Sequence, residues 1–118
     1  MRIKIDHLDK RFRRYIRLRD KVCQGCAKES GLLDCAHILS RRYAATRWDP
    51  QNAMLLCRGC HMHFTQNPEE WVRFVESKMG EAAYQLLEIK AKHSTTKKKL
   101  ARANATLILG KAIAEMTK

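Results

Sequence analysis

The sequence predicts an α+β chain, mostly helical, built round a small two-stranded core that zinc holds in shape. Three observations carry this. Four cysteines fall in two matched pairs, Cys23-Gln24-Gly25-Cys26 and Cys57-Arg58-Gly59-Cys60, the spacing at which tight turns bring thiolates onto one tetrahedral ion. Between the pairs lie two short apolar runs, at 32–39 and 53–56, parted by a loop that carries turn signals. On either side, apolar residues recur with the period of a helix.

Size and charge narrow the reading. At 118 residues the chain reads as one domain, 1–118, near the length at which a metal staple matters. Its 45% hydrophobic and 31% charged content is that of a globular protein. No apolar run nears the roughly 18 residues of a membrane span. The opening Met1-Arg2-Ile3-Lys4-Ile5-Asp6 lacks the apolar core of a secretory signal, so the expected location is the cytoplasm. In that reducing compartment, paired Cys-x-x-Cys motifs point to metal rather than disulfide. A net charge of +12 calls for a polyanionic partner, and nucleic acid fits it better than a membrane surface.

Taken in order, residues 1–22 read as a basic helix, regular over 8–22. Leu8, Phe12, Tyr15 and Ile16 share one face, while Arg11, Arg13, Arg14, Arg17 and Lys21 occupy much of the rest. The segment holds nine Lys or Arg against three Asp, which favours phosphate contact over a merely solvated face. Residues 23–66 form the core. Gly25 suits the reversal of a zinc knuckle, and the loop-like Ala27-Lys28-Glu29-Ser30-Gly31 is not the long helix of a redox dithiol. Leu32 to Leu39 reads as a strand whose alternation puts Cys35 and His37 on one face and Asp34 and Ala36 on the other. Ser40 to Pro50 reads as an irregular loop carrying Arg41, Arg42 and Arg47. Ala53 to Leu56 is the returning strand, and His61 and His63 ride the helix beyond it. Cys35, without a paired cysteine, is a small core residue.

Residues 67–118 read as helical. Asn67-Pro68-Glu69-Glu70 supplies an N-cap, a proline at the first helical position and acids in the first turn. Trp71, Phe74, Val75 and Met79 make the buried stripe, and Gly80 ends the helix. A second helix runs over 81–92 with Ala83, Tyr84, Leu87 and Ile89 apolar. A third covers 96–116, its stripe formed by Leu100, Ala103, Leu107 and Ala114 and interrupted by Lys111. Lys97-Lys98-Lys99 reads equally as a phosphate contact or a solvated run.

Thirty residues separate Cys26 from Cys57, more than the roughly 15–20 of a bare zinc ribbon. A zinc site framing an inserted hairpin accounts for the excess. The order Cys-x-x-Cys, His37, Asn52, Cys-x-x-Cys-His61, over residues 20–65, resembles the HNH endonucleases, whose core is a two-stranded hairpin and helix around one divalent metal. More loosely, Tyr15-Ile16-Arg17-Leu18-Arg19-Asp20 and the helical tail with Gly80 resemble phage recombination endonucleases of the lambda NinG (Rap) kind. The resemblance implies a phosphodiester hydrolase acting on branched or duplex DNA, in the host cytoplasm if phage-encoded. It implies Cys23, Cys26, Cys57 and Cys60 as ligands of a structural Zn²⁺, His37 as general base, and His61 as ligand of a catalytic Mg²⁺, Mn²⁺ or other divalent cation. Asn52 either ligates that cation or holds the loop that aims the base. Arg11, Arg14, Arg17, Arg41 and Arg42 are the expected DNA contacts. In one respect the chain departs from the family: Ala36 stands where many members carry a metal-ligating Asp or His just before the base. Asp34 and His63 are the nearest replacements, and a non-catalytic zinc-dependent DNA-binding module is the alternative. The sequence leaves the oligomeric state open, a dimer included.

Overall fold

Two acids start the first helix. In the computed structural model, which describes residues 3–118, Asp6 accepts from the amides of Leu8 and Asp9 at 2.9 and 3.1 Å. Asp9 in turn accepts from the Asp6 amide at 2.9 Å, a reciprocal cap. Met1 and Arg2, which open the segment read as a basic helix, lie outside the described residues. The elements are α1 (His7–Asp20), β1 (Leu33–His37), α2 (Ala44–Arg47), a 3-10 turn (Pro50–Asn52), β2 (Ala53–Cys57), α3 (Arg58–Gln66), α4 (Pro68–Met79), α5 (Glu81–His93) and α6 (Lys98–Met116). The class is α+β and mostly helical. β1 and β2 pair antiparallel, with Leu33 opposite Cys57 and His37 opposite Ala53.

The hairpin is packed on both faces. On one, Leu8, Phe12 and Ile16 of α1 bury against Trp48, Ala53, Leu55, Ala105 and Leu109, with Leu33 and Cys35 packed on the cluster. On the other, Ala36, Met54, Leu56 and Val75 join Cys23 and Cys57, under Phe64, Trp71, Phe74 and Met79. Alternation along β1 therefore divides as its sequence predicts. Every residue of β2 is buried, because a strand covered on both faces has no solvent side to keep polar. Fully burying each of the large side chains contributes roughly 1.5–3 kcal/mol, so the α1 stripe alone fixes that helix firmly to the sheet.

The structure corrects four expectations. The 40–50 stretch is not wholly irregular: it holds α2 and runs into the 3-10 turn, where the amides of Arg47 and Asp49 donate to the Tyr43 and Thr46 carbonyls beneath the buried Thr46, Arg47 and Trp48. Asn67 does not cap α4 with its side chain; Nδ2 donates 2.7 Å to the His63 carbonyl and closes α3 instead. Ile89 is exposed, while Leu87 and Ala91 face inward. The buried side of α6 is Ala105, Leu109 and Ile113, with Ala101 beside them, whereas Leu100 and Leu107 are 55% and 74% exposed. That helix is apolar on several sides, so periodicity could not choose the face that packs on α1.

Candidate functional site

The four paired cysteines meet at one end of the hairpin. Their sulfurs all lie within 4.8 Å of one another, and Cys26 Sγ sits 3.7 Å from Cys57 Sγ. A tetrahedral ion with bonds near 2.3 Å requires sulfur separations of roughly 3.8 Å, so the pocket already has zinc dimensions. Gly25 makes this approach feasible: a Cβ there would stand 3.1 Å from Cys60 Sγ. The amides of Gly25 and Cys60 donate to Cys23 Sγ and Cys57 Sγ, each at 3.4 Å. Burial opposes ionisation of Cys23, but backbone hydrogen bonds from Cys57, Cys26 and Gly25 outweigh it and bring the thiol down to about 6. Burial and the neighbouring sulfurs push the Cys60 thiol the other way, so the fit to one Zn²⁺ rests on four soft sulfur donors in this shape. Cys35 stands apart, packed on the α1 cluster, and burial pushes its thiol up to about 12.

At the opposite end the hairpin is closed by polar contacts. Asn52, fully buried, accepts from the Leu39 amide at 2.8 Å and donates to the carbonyls of Leu39 and Thr46 at 3.1 and 2.9 Å. It thereby spans the loop between the strands. Both polar atoms of its amide are thus engaged within the protein and sealed from solvent, and of its two expected roles these contacts favour holding the loop over binding a metal. His37, on the last residue of β1, directs Nε2 to the Arg47 carbonyl at 3.1 Å. Its ring lies 5.4 Å from that of Phe12. Burial is the main influence on this imidazole and lowers its pKa below the ordinary 6.5.

Between α1 and α3 a cleft of about 1180 Å³ runs along β1. Lys10, Arg13, Arg14 and Arg17 line one wall, and Arg58 and His61 the other, with Asp34 at the floor. His61 Nδ1 lies 3.0 Å from Asp34 Oδ2. Arg58 grips the same carboxylate with Nε and Nη2 at 2.9 and 3.2 Å. Burial raises the Asp34 pKa, but Arg58 and His61 outweigh it and hold it below the usual value. His37 is not among the residues lining this cleft, but both imidazoles border an adjoining smaller cavity of about 70 Å³ beside Ala36. His63 is turned elsewhere, 3.0 Å from Glu70, so of the two candidate extra ligands only Asp34 reaches His61.

The expected DNA contacts divide. Arg14 and Arg17 line the cleft, while Arg11 borders a groove against the end of α6. Arg41 is held by the Ile3 carbonyl at 3.2 Å and by Asp9 at 3.8 Å, and Arg42 donates to the Tyr43 hydroxyl over whose ring it lies. Lys10, Arg13 and Arg58 line the cleft as well, Arg13 being part of the basic helix face though not among the named contacts. The helical spacing of residues 10, 13, 14 and 17, opposite Phe12 and Ile16, carried a signal for the first two; Arg58, inside a zinc knuckle, carried none.

The fold and its corner define a zinc-ready hairpin-and-helix core with a cationic cleft alongside. Residues 20–67 match the family model described as HNH endonuclease. No curated protein and no solved structure matches the chain, and the NinG resemblance has no counterpart in these comparisons. No helix among the described residues is long and apolar enough to cross a membrane.

Proposed function

We propose that the protein is a metal-dependent DNA endonuclease of the HNH type, acting as one unit in the cytoplasm. The observation that carries this is the Asp34–His61 pair facing a cleft walled by Lys10, Arg13, Arg14 and Arg17. A row of cations beside a polarised imidazole is what phosphate binding and hydrolysis both need.

His37 serves as general base. Burial keeps it neutral at pH 7, and donation from Nε2 to the Arg47 carbonyl leaves the Nδ1 lone pair to take a proton from water. His61 donates through Nδ1 to Asp34, which fixes the tautomer and leaves Nε2 for a divalent cation, Mg²⁺ or Mn²⁺ first among them. Asp34 then orients His61 rather than ligating, since Arg58 already holds both its oxygens. When bound, the cation supplies charge stabilisation at the phosphate and leaving oxygen. Cys23, Cys26, Cys57 and Cys60 hold the structural zinc. The substrate is branched DNA of the kind met in recombination, with duplex nicking close to it, and the source is a phage.

One observation favours a second reading, a DNA-binding module without catalysis: Ala36 offers no ligand atom, and the Asp34 oxygens are engaged. Nicking of plasmid and four-way junctions with Mg²⁺ or Mn²⁺ separates the two. The endonuclease cuts, whereas His37→Ala and His61→Ala lose cleavage and keep one zinc per chain. Equal DNA binding by all three with no cutting by any establishes the module.

A further inference from the structure

We propose that Asp9, on α1 and outside the matched segment, is a positioning residue for His37, an inference that rests on reading His37 as the base. Asp9 and Arg47 are 3% and 5% exposed. Asp9 Oδ2 accepts from Arg47 Nη2 at 2.6 Å, and Oδ1 accepts from Arg47 Nε at 3.1 Å and from Trp48 Nε1 at 2.9 Å. One carboxylate thus grips both side chains that flank the 47–48 peptide. The oxygen of that peptide is the acceptor for His37 Nε2 at 3.1 Å. Arg47 is further tied to the Lys4 carbonyl at 2.9 Å, and Phe12, one turn along α1 from Asp9, lies against the imidazole ring.

The physical consequence concerns the tautomer. An acceptor fixed opposite Nε2 locks the hydrogen of a neutral imidazole on that nitrogen. A peptide that is free to turn would let the ring donate to water from either nitrogen, and the lone pair would no longer stay on Nδ1. A buried ion pair is a weak source of net stability but a strong constraint on geometry. Here the constrained group is the carbonyl that His37 meets. Phe12, Arg41, Arg47 and Asp9 are the groups that face or influence the ring, and only Asp9 holds the 47–48 peptide from both sides.

The test uses the full chain with its zinc. Ring-nitrogen NMR of His37 should show the Nε2–H form in the wild type. In Asp9→Asn that form should give way to a mixture, and kcat should fall about tenfold or more with KM for a junction substrate within about twofold. Asp9→Glu should recover part of the loss. Trp48→Phe, which keeps the aromatic packing and removes one donor, should show a smaller change of the same kind, and it decides the matter should Asp9→Asn fail to fold. A His37 tautomer unchanged in both variants, or KM rising while kcat holds, overturns the proposal. Full cleavage by His37→Ala would instead remove the base assignment, and the NMR measurement would still decide whether Asp9 governs the ring.

Discussion

The two ends of the hairpin are closed by different chemistry. At the Leu33–Cys57 end, four sulfurs lie within 4.8 Å of one another. At the His37–Ala53 end, Asn52 and the Asp9–Arg47–Trp48 group do the closing through buried hydrogen bonds. The first end draws its four groups from two short Cys-x-x-Cys turns and could hold one metal ion. The second depends on α1, and its partners lie far apart in the chain. The contrast teaches that the thiol corner governs whether the core forms, whereas the polar end governs how accurately His37 is held.

The largest effect should come from breaking the thiol end. Cys57→Ser should abolish zinc binding and leave the chain unfolded, since structural-zinc free energy, about 10–16 kcal/mol in small fingers, is folding free energy. Native circular dichroism with undiminished zinc would show that the two ends do not differ as described. Next comes Asn52→Ala, which strands the Leu39 amide and two carbonyls. It should cost about 2–4 kcal/mol and lower Tm by roughly 10–20 °C while retaining zinc; release of the zinc as well would mean the ends act as one.

A subtler probe is pH. Burial disfavours the charged form of His37 and lowers its pKa, so the neutral base persists below pH 6.5. The acid limb of the cleavage rate should therefore be centred below 6.5; a limb centred above that value would contradict the buried setting. The smallest effects belong to the cleft wall. Arg17→Ala should reduce the salt slope of DNA binding by about 0.9, and Arg42→Ala, stacked on Tyr43 away from the cleft, by much less. Equal slopes for the two would spread the interface beyond α1 and α3.

The thiol end was legible in the sequence because ligand chemistry is set by residue type and short spacing: Cys23, Cys26, Cys57 and Cys60 announce themselves. The α1 stripe was legible for a similar reason, since Leu8, Phe12 and Ile16 alternate with cations. The polar end was only half legible. Asn52 was singled out by its place in the order of the resembling family, but its seat depends on the carbonyls of Leu39 and Thr46, which no side chain advertises. Asp9 was only one of three acids in a basic segment and Arg47 one of three loop arginines, and nothing local pairs two residues so distant in the chain. The face of α6 was illegible because Leu100, Leu107 and Leu109 are equally apolar, and only the surface of α1 selects among them.

α1 supplies one cleft wall, the aromatic beside His37 and the carboxylate behind it, yet all of it but its last residue, Asp20, lies before the matched stretch. The portable unit is therefore longer than its signature. Residues 20–67 grafted onto a foreign scaffold would keep their zinc corner but lose the cationic wall and the anchor for the 47–48 peptide, becoming a metal-bearing hairpin with an unaimed imidazole. Swapping α1 between related chains would then be a way to retune substrate grip without touching a single motif residue.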